Sequence, residues 1–432
     1  MLFRSLTSLT EVKRLQALSK RYKRSVPNKK SIERWVQKYD EKRAQVNSIQ
    51  WNESRYESAE RRLANRLKTL GKLTPLPLKA TKQCFTDLTK SAGFNKSGAR
   101  QKADIPFSEV AEVYERLSNG DPCSDYVSTV GFRSHLVRAD QEEKVRIIHV
   151  TAGPLAFVEK MFAYPIQQAM MNAPYNNWAT GWAWDRHGGQ VIRQRFRKLK
   201  RTISLDFQSF DLCCRTRLTR TIFGLWKNLF DLTDQEERCF DSIVEGHCHS
   251  YIRHSGGLKL LTDGVRTGSS FTHIMGTMVS AFLMEYCDIT NYYCYGDDVI
   301  AEGDYEYIKF VLVSTGFSLH PTKTKVGSIH WLGLKLVGDR WVLEDPDARM
   351  AKLFLPEPGR KPHSLATRMQ ASILNSGKDP MAERMICMLE KCGLDVLSEE
   401  LGQELQKWGR SYEGCTYSTI RELYEYCTAE FV

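Results

Sequence analysis

The spacing of apolar residues predicts a β-hairpin near residue 297 whose turn is acidic. Residues 292–295 (Tyr-Tyr-Cys-Tyr) and 299–301 (Val-Ile-Ala) are short runs rich in aromatic and β-branched side chains, which favour strands. Between them stand Gly296, Asp297 and Asp298, residue types that form tight turns. Most turns of this composition have no chemical role, so the two carboxylates need a partner elsewhere in the chain to indicate a function.

A second predicted strand supplies that partner. Residues 202–207 alternate between polar and apolar positions as a half-buried strand does, and Asp206 stands at the end of the alternation. Asp211 follows five residues later. Carboxylate oxygens are the ligands with which proteins hold pairs of divalent cations about 4 Å apart for phosphoryl transfer. The two strand ends together therefore indicate a metal-dependent site.

A long helix is predicted just upstream of the acidic hairpin. Apolar residues recur at intervals of three and four through residues 271–283, which is helical periodicity. Thr272, Gly276 and Ser280 form a second stripe at every fourth position, and Gly268 lies in a flexible loop that enters the helix. Small residues at this spacing also let helices pack closely, and we favour that explanation for Gly276.

Flanking segments predict further elements. The predicted helices are an amphipathic segment in 1–30, helix-compatible sequence in 31–70, and residues 155–169, 305–315 and parts of the chain beyond 346. The predicted strands are residues 142–150 and a hairpin of 331–337 with 340–343. Residues 73–78 contain prolines and are predicted to form a linker that crosses the surface.

Charge is divided unevenly along the 432 residues, whose formal net charge is +11. Residues 1–200 carry 37 Lys and Arg against 19 Asp and Glu, whereas residues 201–432 carry 25 against 32. A basic half of this kind predicts a polyanionic partner, with a merely solvated basic surface as the alternative. The twelve cysteines follow no repeating spacing, which favours free thiols, and no apolar run is long enough to span a membrane.

Three motifs stand in order along the chain: Asp206-x4-Asp211, Thr267-Gly268-x3-Thr272 and Tyr295-Gly296-Asp297-Asp298. They follow the order of motifs A, B and C of viral RNA-dependent RNA polymerases, and the sequence resembles that family over about residues 144–333. The sequence of residues 264–272 is most similar to the partitivirus-type enzymes of small double-stranded RNA viruses.

This resemblance implies an α+β right-hand polymerase with fingers, a palm built on a small antiparallel sheet packed against helices, and a small thumb. The expected divisions are 1–201 for fingers with a basic N-terminal extension, 202–220 for palm, 221–261 for a fingers insertion, 262–340 for palm and 341–432 for thumb.

The implied activity is template-directed RNA synthesis on an RNA template. In the family pattern Asp206 and Asp297 hold two Mg²⁺ ions, with Mn²⁺ as an alternative, and Asp298 assists. Lys144 and Arg146 match the basic motif that lines the channel for nucleoside triphosphates. Two residues apart on a predicted strand, they share one face, although a strand edge displaying solvated charges would look the same.

The resemblance also assigns residues that contact RNA and nucleotide. Gly268 belongs to the loop that holds the template and nascent pair. Asp211 and Thr272 match positions that, together with a helix Asn, sense the ribose 2′-hydroxyl. This chain has Ser280 in place of that Asn. A Ser hydroxyl can donate and accept a hydrogen bond but reaches less far than an amide, so ribose selection by this route is in question.

A further lysine is implied to act on the leaving group. Lys323 best matches the family's motif D lysine proposed to protonate the departing pyrophosphate, with Lys325 as second choice and an ordinary surface lysine as the alternative. Residues 193–201 hold six cations in nine positions, which favours either a solvated face or contact with a phosphate backbone.

Partners and location follow only from the resemblance. RNA template, RNA product and nucleoside triphosphates are expected, together with a viral capsid protein, inside particles in the host cytoplasm. The acid-poor N-terminus leaves mitochondrial targeting as a minor alternative. Two other functions stay open, a reverse transcriptase and a non-catalytic RNA-binding scaffold for replication.

Overall fold

The computed structural model describes residues 6, 9–121, 127–173, 177–357, 363–407 and 417–429. Helices dominate them, and none is long and apolar enough to cross a membrane. The helices are α1 (Thr10–Ser19), α2 (Lys29–Asn47), α3 (Glu53–Leu67), α4 (Phe107–Ser118), α5 (Gly153–Asn172), α6 (Gly188–Phe196), α7 (Phe210–Cys213), α8 (Thr216–Lys227), α9 (Asp234–Cys248), α10 (Thr272–Tyr286), α11 (Tyr305–Val313), α12 (Pro346–Phe354), α13 (Leu365–Leu374), α14 (Pro380–Glu390), α15 (Glu399–Lys407) and α16 (Ile420–Thr428).

The strands of the described residues form four small sheets, with orders β1-β3, β4-β2-β6-β7, β10-β5-β9-β8 and β11-β12-β13. The strands are β1 (Tyr22–Arg24), β2 (Val127–Ser134), β3 (Leu136–Arg138), β4 (Val145–Val150), β5 (Thr202–Leu205), β6 (Ser250–His254), β7 (Gly257–Leu261), β8 (Tyr292–Tyr295), β9 (Asp298–Glu302), β10 (Lys325–Val326), β11 (His330–Trp331), β12 (Leu334–Val337) and β13 (Arg340–Leu343).

The sheet β10-β5-β9-β8, here called the central sheet, joins the two predicted acidic segments. Its strands are antiparallel, and Leu205 at the end of β5 pairs with Val299 in β9. Gly296 has φ +61°, a conformation that glycine adopts without steric cost, so the β8–β9 turn closes in two residues. The pairing places the end of β5 beside the acidic turn, and the predicted strand and hairpin are confirmed.

Helix α10 lies at the centre of the largest core cluster. Every side chain from Ile274 to Tyr286 is buried, because α3, α8 and strands β8 and β9 surround the helix. Its buried polar residues have partners: the Glu285 carboxylate accepts from the guanidinium groups of Arg62 and Arg66 in α3. The helix predicted from residue 271 onward is therefore confirmed, and it is buried on all sides instead of on one.

The N-terminal segment packs on the C-terminal helices. Leu6 and Val12 are buried in a second core cluster with residues of α12, α13, α14 and α16. Among the described residues of the predicted amphipathic segment, Thr10–Ser19 form α1, and the chain then turns into β1, which pairs with β3. Helix α1 therefore packs against the body of the protein.

One predicted strand is wrong in its extent. The run 331–337 is interrupted after Trp331, because Leu332 and Gly333 both have positive φ and form a turn between β11 and β12. The result is a three-stranded sheet in place of a simple hairpin, while the predicted turn between β12 and β13 is confirmed. The helices predicted at 155–169 and 305–315 are observed as α5 and α11. The ten described cysteines are free thiols, as expected.

Candidate active site

Three carboxylates meet at one edge of the central sheet, and we call Asp206, Asp297 and Asp298 the acidic cluster. Asp206 directly follows β5, Asp298 begins β9, and Asp297 is exposed at the turn. Burial raises the pKa of Asp298 to about 7, and the nearby negative charges of Asp297 and Asp206 add to that rise. Asp298 is therefore close enough to Asp297 and Asp206 to be repelled by both.

Asp211 lies beside the acidic cluster on the short helix α7. Burial raises its pKa to about 6, and the charge of Asp297 contributes to that rise, whereas Arg146 opposes it. The structure thus brings together the two motif segments that sequence resemblance pairs, although they are separated by about ninety residues of chain.

Three cations face these carboxylates, and we call Lys144, Arg146 and Lys323 the basic cluster. The Nζ atom of Lys323 lies 3.8 Å from Oδ2 of Asp206. Partial burial lowers the pKa of Lys144, the charges of Lys323 and Arg146 lower it further, and Asp206 counteracts them. The predicted nucleotide-binding cations and the predicted motif D lysine therefore converge on the carboxylates.

The segment that carries Lys323 is tied to the strand that carries Asp206. The backbone N–H of His320 donates to the Asp206 carbonyl over 2.7 Å, and β10 then pairs with β5. Lys325, the second choice for the same role, instead donates from Nζ to the carbonyl of Thr322 over 2.7 Å. The structure favours Lys323 over Lys325 at the site.

Helix α10 holds the tip of the acidic hairpin. The Gly296 N–H donates to Oγ1 of Thr277 over 2.9 Å, and the Ser280 hydroxyl donates to the Gly296 carbonyl over 2.6 Å. A Cβ on Gly276 would lie 3.4 Å from the Gly296 Cα, so the helix and the turn are in close contact. Thr277 was not singled out from the sequence, and a polar residue inside an otherwise apolar helix was its only signal.

This geometry corrects the expectation for Ser280. The side chain is fully buried, and its hydroxyl donates to the hairpin turn instead of facing solvent. A short hydroxyl cannot reach out as the family's Asn amide does. We therefore assign Ser280 to support of the acidic turn.

The loop before α10 is in close contact with β4, the strand that carries Arg146. A Cβ on Gly268 would lie 1.7 Å from the His149 carbonyl oxygen, so only glycine fits there. The His149 N–H donates to Oγ1 of Thr267 over 3.1 Å, and the Thr272 hydroxyl donates to the Arg266 carbonyl over 2.6 Å. In this structure Gly268 and Thr272 shape the loop, and their contacts with RNA or ribose stay predictions.

The basic run 193–201 is used mainly within the protein. Arg195 donates to Asn291 over 2.9 Å, and Arg197 forms an ion pair with Asp339 at 2.9 Å. Arg195 is therefore bound within the protein. Arg197, Lys198, Lys200 and Arg201 in the same run are exposed, and for them the choice between a solvated face and phosphate contact stays a prediction.

The donor atoms at the site suit a divalent cation. Within the described residues, no three His, Cys, Asp or Glu side chains are already arranged to hold a metal ion. The acidic cluster nevertheless offers only hard carboxylate oxygens. Burial first, and then repulsion from Asp297 and Asp206, raises the pKa of Asp298, and a bound cation would offset both by favouring the ionised carboxylate. By its chemistry the cluster fits the implied Mg²⁺.

Comparison with known proteins identifies the family of the chain. Residues 8–355 match the viral RNA-dependent RNA polymerase family, and the chain therefore belongs to it. The RNA-directed RNA polymerase of Cryptosporidium parvum virus 1 (strain KSU-1) is 27% identical over 230 residues. That match covers 50% of this chain and 42% of the relative, so the alignment spans less than half of the relative's length.

Solved structures show the same fold. The RNA-dependent RNA polymerase of a human picobirnavirus superposes with a TM-score of 0.67 at 15% identity, over 97% of this chain and 84% of that one. The sicinivirus 3Dpol polymerase gives 0.64 at 15% identity, over 83% and 86%. The predicted α+β right-hand polymerase fold is confirmed, while the domain boundaries given above stay predictions.

Proposed function

We propose that this chain copies an RNA template into RNA by two-metal nucleotidyl transfer. The observation that carries the proposal is the meeting of the acidic cluster and the basic cluster at the edge of the central sheet, 3.8 Å apart at Lys323 and Asp206. A nucleoside triphosphate needs both, because its phosphates require cationic partners and its reacting oxygens require metal ions.

The acidic cluster would hold the metal ions. Asp206 and Asp297 are the proposed principal ligands of two Mg²⁺ ions, Asp298 assists, and Mn²⁺ would use the same oxygens. Bound there, the ions supply activation of the RNA 3′-hydroxyl and neutralisation of charge on the triphosphate.

The basic cluster acts on the triphosphate. Lys144 and Arg146 bind its β- and γ-phosphates and align the α-phosphorus with the 3′-hydroxyl oxygen. A bond forms between that oxygen and the α-phosphorus, the bond to the bridging oxygen breaks, and pyrophosphate leaves. Lys323 is placed to give a proton to the departing pyrophosphate or to neutralise its charge, while the hydroxyl proton passes to solvent.

Partners and location are proposed on the resemblance to double-stranded RNA virus enzymes. RNA and nucleoside triphosphates are the substrates, and a capsid protein would enclose the enzyme in particles in the host cytoplasm. The burial of Leu6 and Val12 against the C-terminal helices supports an N-terminus that belongs to the folded enzyme over a removable mitochondrial signal.

The test is nucleotide incorporation by the purified chain on a short RNA template with Mg²⁺. We expect RNA product with ribonucleotides, and none when a chelator removes the metal. Equal use of deoxyribonucleotides would instead indicate a reverse transcriptase. RNA binding that is independent of Mg²⁺, with no incorporation on several templates with and without primer, would indicate a replication scaffold.

A further inference from the structure

A buried carboxylate lies directly behind the loop that enters α10. Glu159 of α5 is 1% exposed. Its Oε2 accepts from the Ser270 N–H over 2.8 Å and from the Ser269 hydroxyl over 2.9 Å, and its Oε1 accepts from Nε2 of His247 in α9 over 3.0 Å. A buried carboxylate with this many donors holds its partners firmly, because leaving any of them unpaired is costly.

The loop of residues 267–270, here called the glycine loop, is held between this carboxylate and β4. On one side Glu159 binds Ser269 and Ser270, and on the other side Gly268 rests against the backbone of His149. A small cavity of about 10 Å³ borders Glu159, His247 and Ser269. On that side, the hydrogen bonds that Glu159 accepts from Ser269 and Ser270 hold the loop in place.

The glycine loop is connected to both clusters of the proposed active site. Strand β4, against which the loop packs, carries Arg146 and directly follows Lys144. Helix α10, which the loop enters, holds the acidic turn through Thr277 and Ser280. A displacement of the loop would therefore shift the basic cluster relative to the acidic cluster.

We propose that Glu159 is a positioning residue for nucleotide binding, which fixes the glycine loop and thereby aligns the basic cluster with the acidic cluster. The inference rests on the proposed function, since it assigns the residue to the binding of the nucleoside triphosphate. A lone acid in the apolar run of α5 is its only signal in the sequence.

Replacement of Glu159 tests this role. Glu159→Leu keeps a side chain of similar size but removes every acceptor. We expect it to raise KM for the nucleotide about tenfold while kcat stays within about threefold, because binding in both ground and transition states is weakened. Glu159→Gln retains a carbonyl that can accept from Ser269 and Ser270, so we expect KM to return to within about threefold of the native value.

A matched control separates positioning from general stability. Glu285 is also buried and lies at the opposite end of α10, where it accepts from Arg62, Arg66 and the Tyr292 hydroxyl. Glu285→Leu is expected to lower the thermal unfolding temperature without raising KM at temperatures where the protein is folded. If Glu159→Leu fails to fold, Ser269→Ala removes the hydroxyl that donates to Glu159 and accepts from the Phe271 N–H, and it is expected to raise KM more than Glu159→Gln does.

Two measurements without catalysis complete the test. Hydrogen exchange of the Ser270 amide should accelerate in Glu159→Leu and stay slow in Glu285→Leu. The affinity for a nucleoside triphosphate, measured by calorimetry, should fall about tenfold in Glu159→Leu and stay unchanged in Glu285→Leu. Unchanged KM, binding and Ser270 exchange in Glu159→Leu would overturn the inference, as would equal KM increases in both variants. The proposed function can fail separately. If the native chain makes no RNA, but Ser270 exchange and nucleotide binding change in the variants as expected, the proposed function is refuted and the positioning role of Glu159 stands.

Discussion

At the scale of single residues, two lysines close in sequence have different surroundings. Lys323 faces Asp206, whereas Lys325 donates to the Thr322 carbonyl. We expect Lys323→Ala to lower kcat about 100-fold, because a positioned proton donor to the leaving group is lost. Lys325→Ala is the control and should stay within about twofold in single-turnover rates. Equal losses in both variants would contradict the assignment of Lys323.

Ser280 gives a second prediction at this scale. Ser280→Ala removes the hydrogen bond to the Gly296 carbonyl, and we expect the free energy of unfolding to fall by about 1 kcal/mol. The ratio of ribonucleotide to deoxyribonucleotide incorporation should not change, since the hydroxyl supports the turn. A clear drop in that ratio with unchanged stability would restore the ribose-sensing role.

The sequence was informative about residues whose role depends on local pattern. Asp206, Asp297 and Asp298 could be found because strand periodicity and turn composition are local signals. The roles of Ser280 and Glu159 could not, because their partners come from elements that only tertiary packing brings together. The same holds for Arg195 and Arg197, whose charges suggested phosphate and whose partners are protein groups.

At the scale of elements, the close contact between the glycine loop and β4 predicts that a larger residue at position 268 destabilises the protein. Gly268→Ala would place a Cβ 1.7 Å from the His149 carbonyl oxygen, so loop and strand must separate. We expect a loss of about 4 kcal/mol or more in the free energy of unfolding, together with loss of activity.

Gly276→Ala is the matched control for this variant. Its Cβ would lie 3.4 Å from the Gly296 Cα, which is an ordinary contact, and alanine favours a helix over glycine. Its unfolding free energy in denaturant titrations should stay within about 1 kcal/mol of the native value. A large loss in Gly276→Ala with little effect in Gly268→Ala would contradict the described packing.

Element boundaries were predictable where periodicity was uninterrupted, as in α10 and the central sheet. They were not predictable at Leu332, because positive φ is disfavoured for leucine and the local sequence contains no signal for a turn at this residue. Nor was β1 predictable, since the strand exists only through pairing with β3 more than a hundred residues away.

At the scale of the whole molecule, the N-terminal helix completes the C-terminal core. Val12 is 2% exposed in that core, so Val12→Asp would bury an unpaired carboxylate. We expect a loss of about 3 kcal/mol or more in thermal unfolding and faster proteolysis of the C-terminal helices. Lys13→Asp, on the exposed face of the same helix, should leave both unchanged. Equal stability of the two variants would show that the contact is dispensable.

The central claim is that the acidic turn of the β8–β9 hairpin is the metal site of an RNA polymerase. Asp297→Asn tests it most directly, and Asp339→Asn is the control because Asp339 is also an exposed carboxylate at a hairpin turn. The measurement is Mg²⁺-dependent ribonucleotide incorporation on a short RNA template, with RNA binding recorded in parallel. We predict that incorporation disappears in Asp297→Asn, stays near native in Asp339→Asn, and that both bind RNA. Native activity in Asp297→Asn would contradict the account.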